Sequence, residues 1–186
     1  MRIAAGFKAH SGWAALVVLG ESDDGLVVVD RRRIELVESA DAGWAKQPYH
    51  AAEGLSPAKA RQLIERAIAS ANRIALKEMR AFIKRAADHE ITGCAVLVGT
   101  PMPDWTIEQI RSVHVRMHKA EGVLFPAALA RAVEGCDLKL ITIPEKELSA
   151  SADATRTIAA LGKSVGPPWG QDQKSAAFGA LSVLSA

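Results

Sequence analysis

The stretch DQKSAAFGAL puts Asp172 and Lys174 in the first turn of an alanine-rich C-terminal helix, a carboxylate and an ammonium at the mouth of an apolar element. Groups of that kind bind anions or move protons. His114 and His118 stand at i, i+4, so their imidazoles share one helix face and can chelate zinc, with Glu121 in the next turn. No Glu follows His114, which excludes the H-E-x-x-H pattern. The plainer reading is a pair of surface or partly packed histidines near a helix C-terminus, where the helix dipole favours a cation. No metal and no cofactor are therefore expected, and His114 and His118 stand as the only metal candidates. Arg66, Arg73, Lys77, Arg80 and Lys84 recur at spacings of seven, four, three and four, a basic stripe opposite Ile64, Ile68, Ala71, Ala75 and Phe82. Such a stripe is either a solvated helix face or a surface that tracks phosphates or an acidic protein. Arg31, Arg32 and Arg33 can extend it only in part, because a strand sends alternate side chains to opposite faces. Glu78, near the apolar edge of the same helix, is expected to pair with a neighbouring Lys or Arg.

Composition narrows the field. A chain of 186 residues fits a single domain, 1–186, with a sizeable core. Lys+Arg 23 against Asp+Glu 21 leaves a formal charge of +2, so any nucleic-acid site must be a local patch. The N-terminus MRIAAGFKAH lacks the apolar core of a secretory signal, and no apolar run reaches the length of a membrane span, so a cytoplasmic protein without membrane partners is expected. Cys94 and Cys136 lie in apolar surroundings without C-x-x-C spacing and read as buried thiols. G-x-S-x-G, G-x-G-x-x-G and the P-loop are absent; GKSVG at 162–166 lacks the preceding strand and the upstream Gly.

The elements that must position these residues follow from periodicity. RIAAGFK, WAALVVLG and LVVVDRRRIELVE are three strands joined by the turns HSG and ESDDG, an antiparallel meander whose third member is either one long strand or a strand with a bulge at the arginines. After a connection over 39–55, Ser56 as N-cap and Pro57 at the first position start a helix running to about Ala87. ITGCAVLVGT is a buried fourth strand. Thr106 and Gln109 form a capping box for a helix to about Ala120, GVLFPAALARAVEG is a second helix, and LKLITI is a fifth strand. Helical signals fill the chain from Pro144 onward. The order βββ-α-β-α(α)-β-α(α) makes a mixed sheet, a meander extended by parallel strands through crossover helices.

That order resembles the ribonuclease H-like fold: three layers, with a mixed five-stranded sheet in which the strands stand side by side in the order third, second, first, fourth, fifth. Three stretches resemble RuvC-type Holliday-junction resolvases in particular. AAGFKAHSGWAALVVL is similar to their first hairpin, EGVLFPAALARAVEGCDLKLITIPEKEL to their small-residue helix, fifth strand and Pro-x-x-(x)-Lys continuation, and DQKSAAFGAL to their last helix. The resemblance implies two Mg²⁺ ions held by carboxylates from the first strand, the fourth strand and the last helix. This sequence has Lys8 at the first-strand position, Gly99 beside Val98 at the fourth, and Asp172 followed by Ser175 in the helix. Two-metal nuclease activity is therefore expected to be absent, leaving a non-catalytic module for nucleic acid or an acidic protein. Resolvase dimers make an oligomer the corresponding expectation. In the resembled fold the C-terminal helix leans over the strand ends. Asp172 is then either an N-cap paired with Lys8, or part of an anion pocket made by Lys8, His10, Asp172 and Lys174 with Trp169 as a wall. The alternative function is an enzyme of altered, non-two-metal chemistry on a small anionic substrate at that corner.

Overall fold

β1 (Arg2–His10) alternates its side chains strictly, and both of its faces are covered. Ile3, Ala5, Phe7 and Ala9 enter one core, while Ala4 enters a second core on the opposite face. Period-two geometry then sends Gly6, Lys8 and His10 to the same side as Ala4. The computed structural model describes residues 1–148 and 151–186. Its sheet has the order β3-β2-β1-β4-β5, with β2 (Trp13–Ser22) antiparallel to both β1 and β3 (Gly25–Glu35), β4 (Glu90–Val98) parallel to β1, and β5 (Leu140–Pro144) parallel to β4. The fold class expected from the sequence is the one observed.

Helices cover both faces. α3 (Pro57–Arg85) and α5 (His114–Glu134) lie over the face fed by Phe7 and Val96, and α6 (Ala152–Val165) and α7 (Gln171–Leu184) over the face fed by Ala4 and Ala95. The 39–55 connection contains a 3-10 turn, Ser39–Asp41, and two four-residue helices, α1 (Ala42–Ala45) and α2 (Pro48–Ala51). Helices that short are not stable by themselves. α1 is held by Ala45, which is buried in the core with Phe7, and α2 by a small cluster in which Tyr49, with Ala52 just after the helix, meets Ala60 and Ile64 of α3, Met117 and Ala120 of α5, and Ile110 of α4 (Ile107–Arg111).

Local expectations fare unevenly. The Thr106 hydroxyl accepts the Gln109 N–H at 3.2 Å and the Gln109 side chain accepts the Thr106 N–H at 2.8 Å, the capping box read from sequence. The helix it starts, however, ends at Arg111, and α5 runs unbroken through Gly122 and Pro126. The break falls at 112–113 instead. Leu124, Phe125, Ala128 and Leu129 are buried on both sides of Pro126, so packing outweighs the one hydrogen bond that proline removes. His114 and His118 consequently sit at the start of a helix, where the dipole argument for cationic histidines does not apply. The β3 bulge is at Val29, between the pairs Val18↔Asp30 and Leu19↔Val28, just ahead of the arginines. Cys94 is fully buried, and burial, with the nearby Cys136 thiol adding to it, pushes the Cys94 thiol up to about 12; Cys136 is only partly buried. Glu78 makes no ion pair within 4 Å among the described residues, against expectation.

The closest packing in the fold sits between β1 and α7. A Cβ built on Gly6 would lie 1.8 Å from the Ala176 carbonyl oxygen and 2.8 Å from the Ala180 nitrogen. Neither obstacle is a side chain that can swing away. Gly6→Ala should therefore lower stability by about 3 kcal/mol or more, the upper end of overpacking costs. Gly99→Ala, where nothing lies within 4 Å, should shift it by less than about 0.5 kcal/mol. Denaturant midpoints check both, and equal midpoints for the two variants would refute the packing argument.

Candidate functional site

The carboxyl ends of β1 and β4 are where an open α/β sheet with a strand-order reversal ordinarily binds its ligands. Here that end carries charges in pairs. The Lys8 ammonium donates to Glu145 Oε1 at 2.5 Å, and His10 Nε2 lies 2.8 Å from Asp172 Oδ1. The expected Lys8–Asp172 pair is thus replaced by two others. Register explains the exchange: Lys8 is level with Leu97, and Leu97 with Ile143, so Glu145 begins just past the end of β5 within reach of a lysine two strands away. His10 is two residues further along β1 on the same face, and it takes Asp172. The N-cap of α7 is Gly170, whose N–H donates to the Gln173 side chain at 2.9 Å; Asp172 lies inside the first turn instead.

A stack borders this corner. The hairpin turn at Ser11 and Gly12, with Gly12 at φ 86°, makes His10 and Trp13 a closing cross-strand pair. Their rings stack with centroids 4.5 Å apart, and the Arg33 guanidinium covers Trp13 at 3.9 Å from its centroid. Trp13 is therefore already covered by a histidine and an arginine. Arg33 also donates to Glu35 at 2.5 Å.

The remaining corner candidates divide. Lys174 is half-buried and makes no ion pair among the described residues. Trp169 turns toward α6: its indole N–H donates to the Ile158 carbonyl at 3.0 Å, and its ring fills the space a Cβ on Gly162 would need. Its contacts are those of a packing residue. Arg31 fixes the approach to α7, donating to the carbonyls of Gly166 and Pro168, each at 2.7 Å. Arg32 faces the other way and pairs with Asp30, to which Arg85 of α3 also reaches at 3.7 Å.

The basic stripe is likewise uneven. Arg66 reaches Asp41 at 3.5 Å and lies over Trp44, and Arg73 reaches Glu38 at 3.3 Å. Lys77, Arg80 and Lys84 lie on the outer side of the helix and make no ion pair among the described residues. The acids of the Glu38–Asp41 segment neutralise the first half of the stripe and leave the second half cationic.

A third cluster joins α2 to α5. Glu121 is 5% exposed; its Oε1 accepts the N–H groups of Tyr49 and His50 at 3.0 and 3.1 Å, and its Oε2 lies 2.7 Å from His50 Nδ1. The carboxylate thereby caps the amino end of α2, whose N-cap Gln47 supplies no side-chain cap. Burial, and then the Glu121 charge, raise the Tyr49 phenol above its ordinary value. His114 and His118 approach each other with Nε2 atoms 3.0 Å apart, and the centre of the His50 ring lies 5.0 and 4.6 Å from the centres of theirs. Sequence reading misses Glu145, Trp13 and His50. The strand register carries a signal for the first and the HSG turn for the second. His50 lies in the 39–55 connection, where no periodicity marks it.

No protein-family model matches this chain, and no curated protein matches its sequence. Solved structures do match. Thermus thermophilus RuvC in complex with a Holliday junction substrate aligns over 100% of this chain and 95% of its own, with a TM-score of 0.53 at 9% identity. A second Thermus thermophilus RuvC structure aligns over 98% of this chain and 95% of its own, with a TM-score of 0.49 at 11% identity. With the strand order and the two helical layers, the first match shows that this chain has the mixed α/β architecture of the RuvC-like, ribonuclease H-like fold.

Proposed function

We propose that this protein is a nucleic-acid-binding module of RuvC-like fold without two-metal nuclease chemistry. The observation that carries the binding half is the run Lys77, Arg80 and Lys84 on the outer face of α3, with no ion pair among the described residues. Phosphates attract such a run by displacing condensed counterions, and the attraction needs no particular base sequence. The structural neighbour solved with a Holliday junction adds support for nucleic acid over an acidic protein. Oligomerisation of the kind seen in resolvase dimers would repeat the run on a second copy.

The loss of cleavage chemistry is supported by the pairing at the strand ends. Mg²⁺ takes hard oxygen ligands, and a two-metal centre needs several carboxylates around ions about 4 Å apart. Asp172 already has His10 and Glu145 already has Lys8. The Lys8 ammonium adds a positive charge where the resemblance to resolvases puts a metal-binding carboxylate. A second reading rests on the His10–Asp172 pair itself, an imidazole and carboxylate in hydrogen-bond contact, with Lys174 in the same helical turn as Asp172. That pair is suited to acid–base work on a small anion.

Binding to duplex, single-stranded and branched nucleic acid should weaken steeply with salt. Replacing Lys77, Arg80 and Lys84 by Gln should flatten the plot of log K against log salt by about one unit for each phosphate left without its cation. Folding should change little, since exposed charges contribute on the order of 0–1 kcal/mol. A wild-type protein that shows no salt-sensitive binding at low ionic strength would make the run a solvated face.

Branched DNA should stay intact with either Mg²⁺ or Mn²⁺ present. Cleavage that disappears in Asp172→Asn would overturn the reading of the strand ends. Turnover of a small anionic compound, lost in both His10→Asn and Asp172→Asn, would favour the second reading.

A further inference from the structure

The histidine cluster between α2 and α5 has the arrangement of a metal site, and we propose that His50, His114 and His118 bind one Zn²⁺ ion through their Nε2 atoms. The donors are within reach of one another: each histidine offers one ring nitrogen, and the three lie within 4.8 Å. His114 Nε2 and His118 Nε2 are 3.0 Å apart. Three nitrogens at ordinary Zn–N distances on a tetrahedral ion are separated by roughly 3.3 Å, so modest ring rotations bring the set onto one ion.

Tautomer logic points the same way. The Glu121 carboxylate only accepts hydrogen bonds, so the His50 nitrogen it contacts, Nδ1, carries the proton. In the neutral ring, the form that binds a metal, His50 Nε2 is then a bare lone pair. It is buried and has no hydrogen-bond partner, a cost that the fold does not otherwise meet. With Nδ1 committed to Glu121, Nε2 is the His50 nitrogen left for the two helical histidines. His114 Nδ1 lies 3.8 Å from Glu53 Oε1, beyond hydrogen-bond distance, and its Nε2 faces His118 Nε2. A carboxylate behind the far nitrogen of a liganding histidine is the usual means of fixing its ring and raising its basicity.

Ligand chemistry selects the ion. Three imidazoles without thiolate suit Zn²⁺, with Co²⁺ as a spectroscopic substitute, and are poor ligands for Mg²⁺ or Ca²⁺. His114 and His118 are exposed, so the fourth position opens to solvent, as in zinc sites that exchange a ligand. The site draws on none of the residues at the strand ends or on the outer face of α3.

The test uses the full chain without a polyhistidine tag, stripped with chelator and titrated with Zn²⁺ against a chromophoric competitor. One ion per chain is expected, and Co²⁺ should give the intense visible bands of tetrahedral coordination. His50→Ala and His118→Asn should each weaken binding by more than about 100-fold, and Glu121→Gln by about 10–100-fold, the range of outer-sphere partners. His118 is exposed, so its variant folds even where loss of His50 disturbs α2. His10→Asn should bind as the wild type does. Substoichiometric Zn²⁺, or wild-type affinity in His118→Asn, would show that these histidines are joined only by hydrogen bonds and would overturn the proposal. Loss of binding in His10→Asn alone would overturn it as well.

Discussion

The meeting of His10 with Asp172 at the carboxyl end of the sheet depends on how closely α7 lies on β1. Gly6 has no Cβ, and Ala176, Ala180 and Gly179 present almost no side chain from the helix, so helix backbone rests on strand backbone. Gly179 reaches the neighbouring strand too, since a Cβ there would meet Ala95 and Leu97 at 3.1 Å. A helix seated on two strands by atoms with no rotamers has little freedom to slide or rotate. Asp172, one helical turn before Ala176, is thereby delivered to His10, one strand repeat beyond Lys8. A larger residue at Gly6 would push the helix outward and separate that pair. The His10–Asp172 contact is a consequence of that packing and the Lys8–Glu145 pair a consequence of strand register, and both are partly exposed: the Asp172 and Glu145 side chains are 31% and 42% exposed.

Most charged groups at that corner are paired, with Lys174 left without an ion pair among the described residues. The Lys8 ammonium meets Glu145, the His10 imidazole lies in hydrogen-bond contact with Asp172, Arg33 meets Glu35, and the aromatic ring between the groups is covered by His10 and Arg33. An arrangement of this kind meets the desolvation cost of each group locally and leaves little field for a diffusing ion. The outer face of α3 is organised in the opposite sense. The Glu38–Asp41 segment neutralises Arg66 and Arg73 and no further, because it is only a few residues long and follows closely on β3. Beyond its reach the helix stays cationic. The sheet end and the helix surface therefore differ: at the first most charged groups have a partner and Lys174 has none among the described residues, while at the second three neighbouring cations have none.

How much of this is legible in the sequence depends on the range of the interaction concerned. The strands and the starts of α3 and α4 are written in local signals: alternation, the HSG turn, Ser56 with Pro57, Thr106 with Gln109; the order of the strands in the sheet comes from the resemblance to the ribonuclease H-like fold. Partners set by register are legible only once the sheet is known, which is why sequence alone directs Lys8 to Asp172 rather than to Glu145. The helix break expected after Ala120 shows the converse failure. Gly122 and Pro126 are strong local punctuation, yet the burial of Leu124, Phe125, Ala128 and Leu129 carries the helix through them. Trp169 shows a third case, an aromatic residue whose role depends on the absence of a side chain at Gly162, earlier in the chain.

The histidine cluster joins these ranges. α2 has four residues and a weak N-cap, so its geometry is imposed by α5 through the Glu121 carboxylate and by the small apolar cluster around Tyr49. One buried carboxylate thus performs two tasks that are usually separate: it caps a helix it does not belong to, and it fixes the ring of His50. Moving Glu121 would change both together, because the N–H groups of Tyr49 and His50 and the His50 ring share its two oxygens. The unpaired Nε2 of His50 is a direct result of that sharing. With Nδ1 committed to the carboxylate and the backbone held in a helical turn, the ring cannot flip to find another partner without giving up the Glu121 bond. A buried lone pair held in place this way is unfavourable by itself and favourable only when something binds it. Whatever occupies it therefore stabilises the 39–55 segment as well, since the ligand and the segment's fold depend on the same contacts.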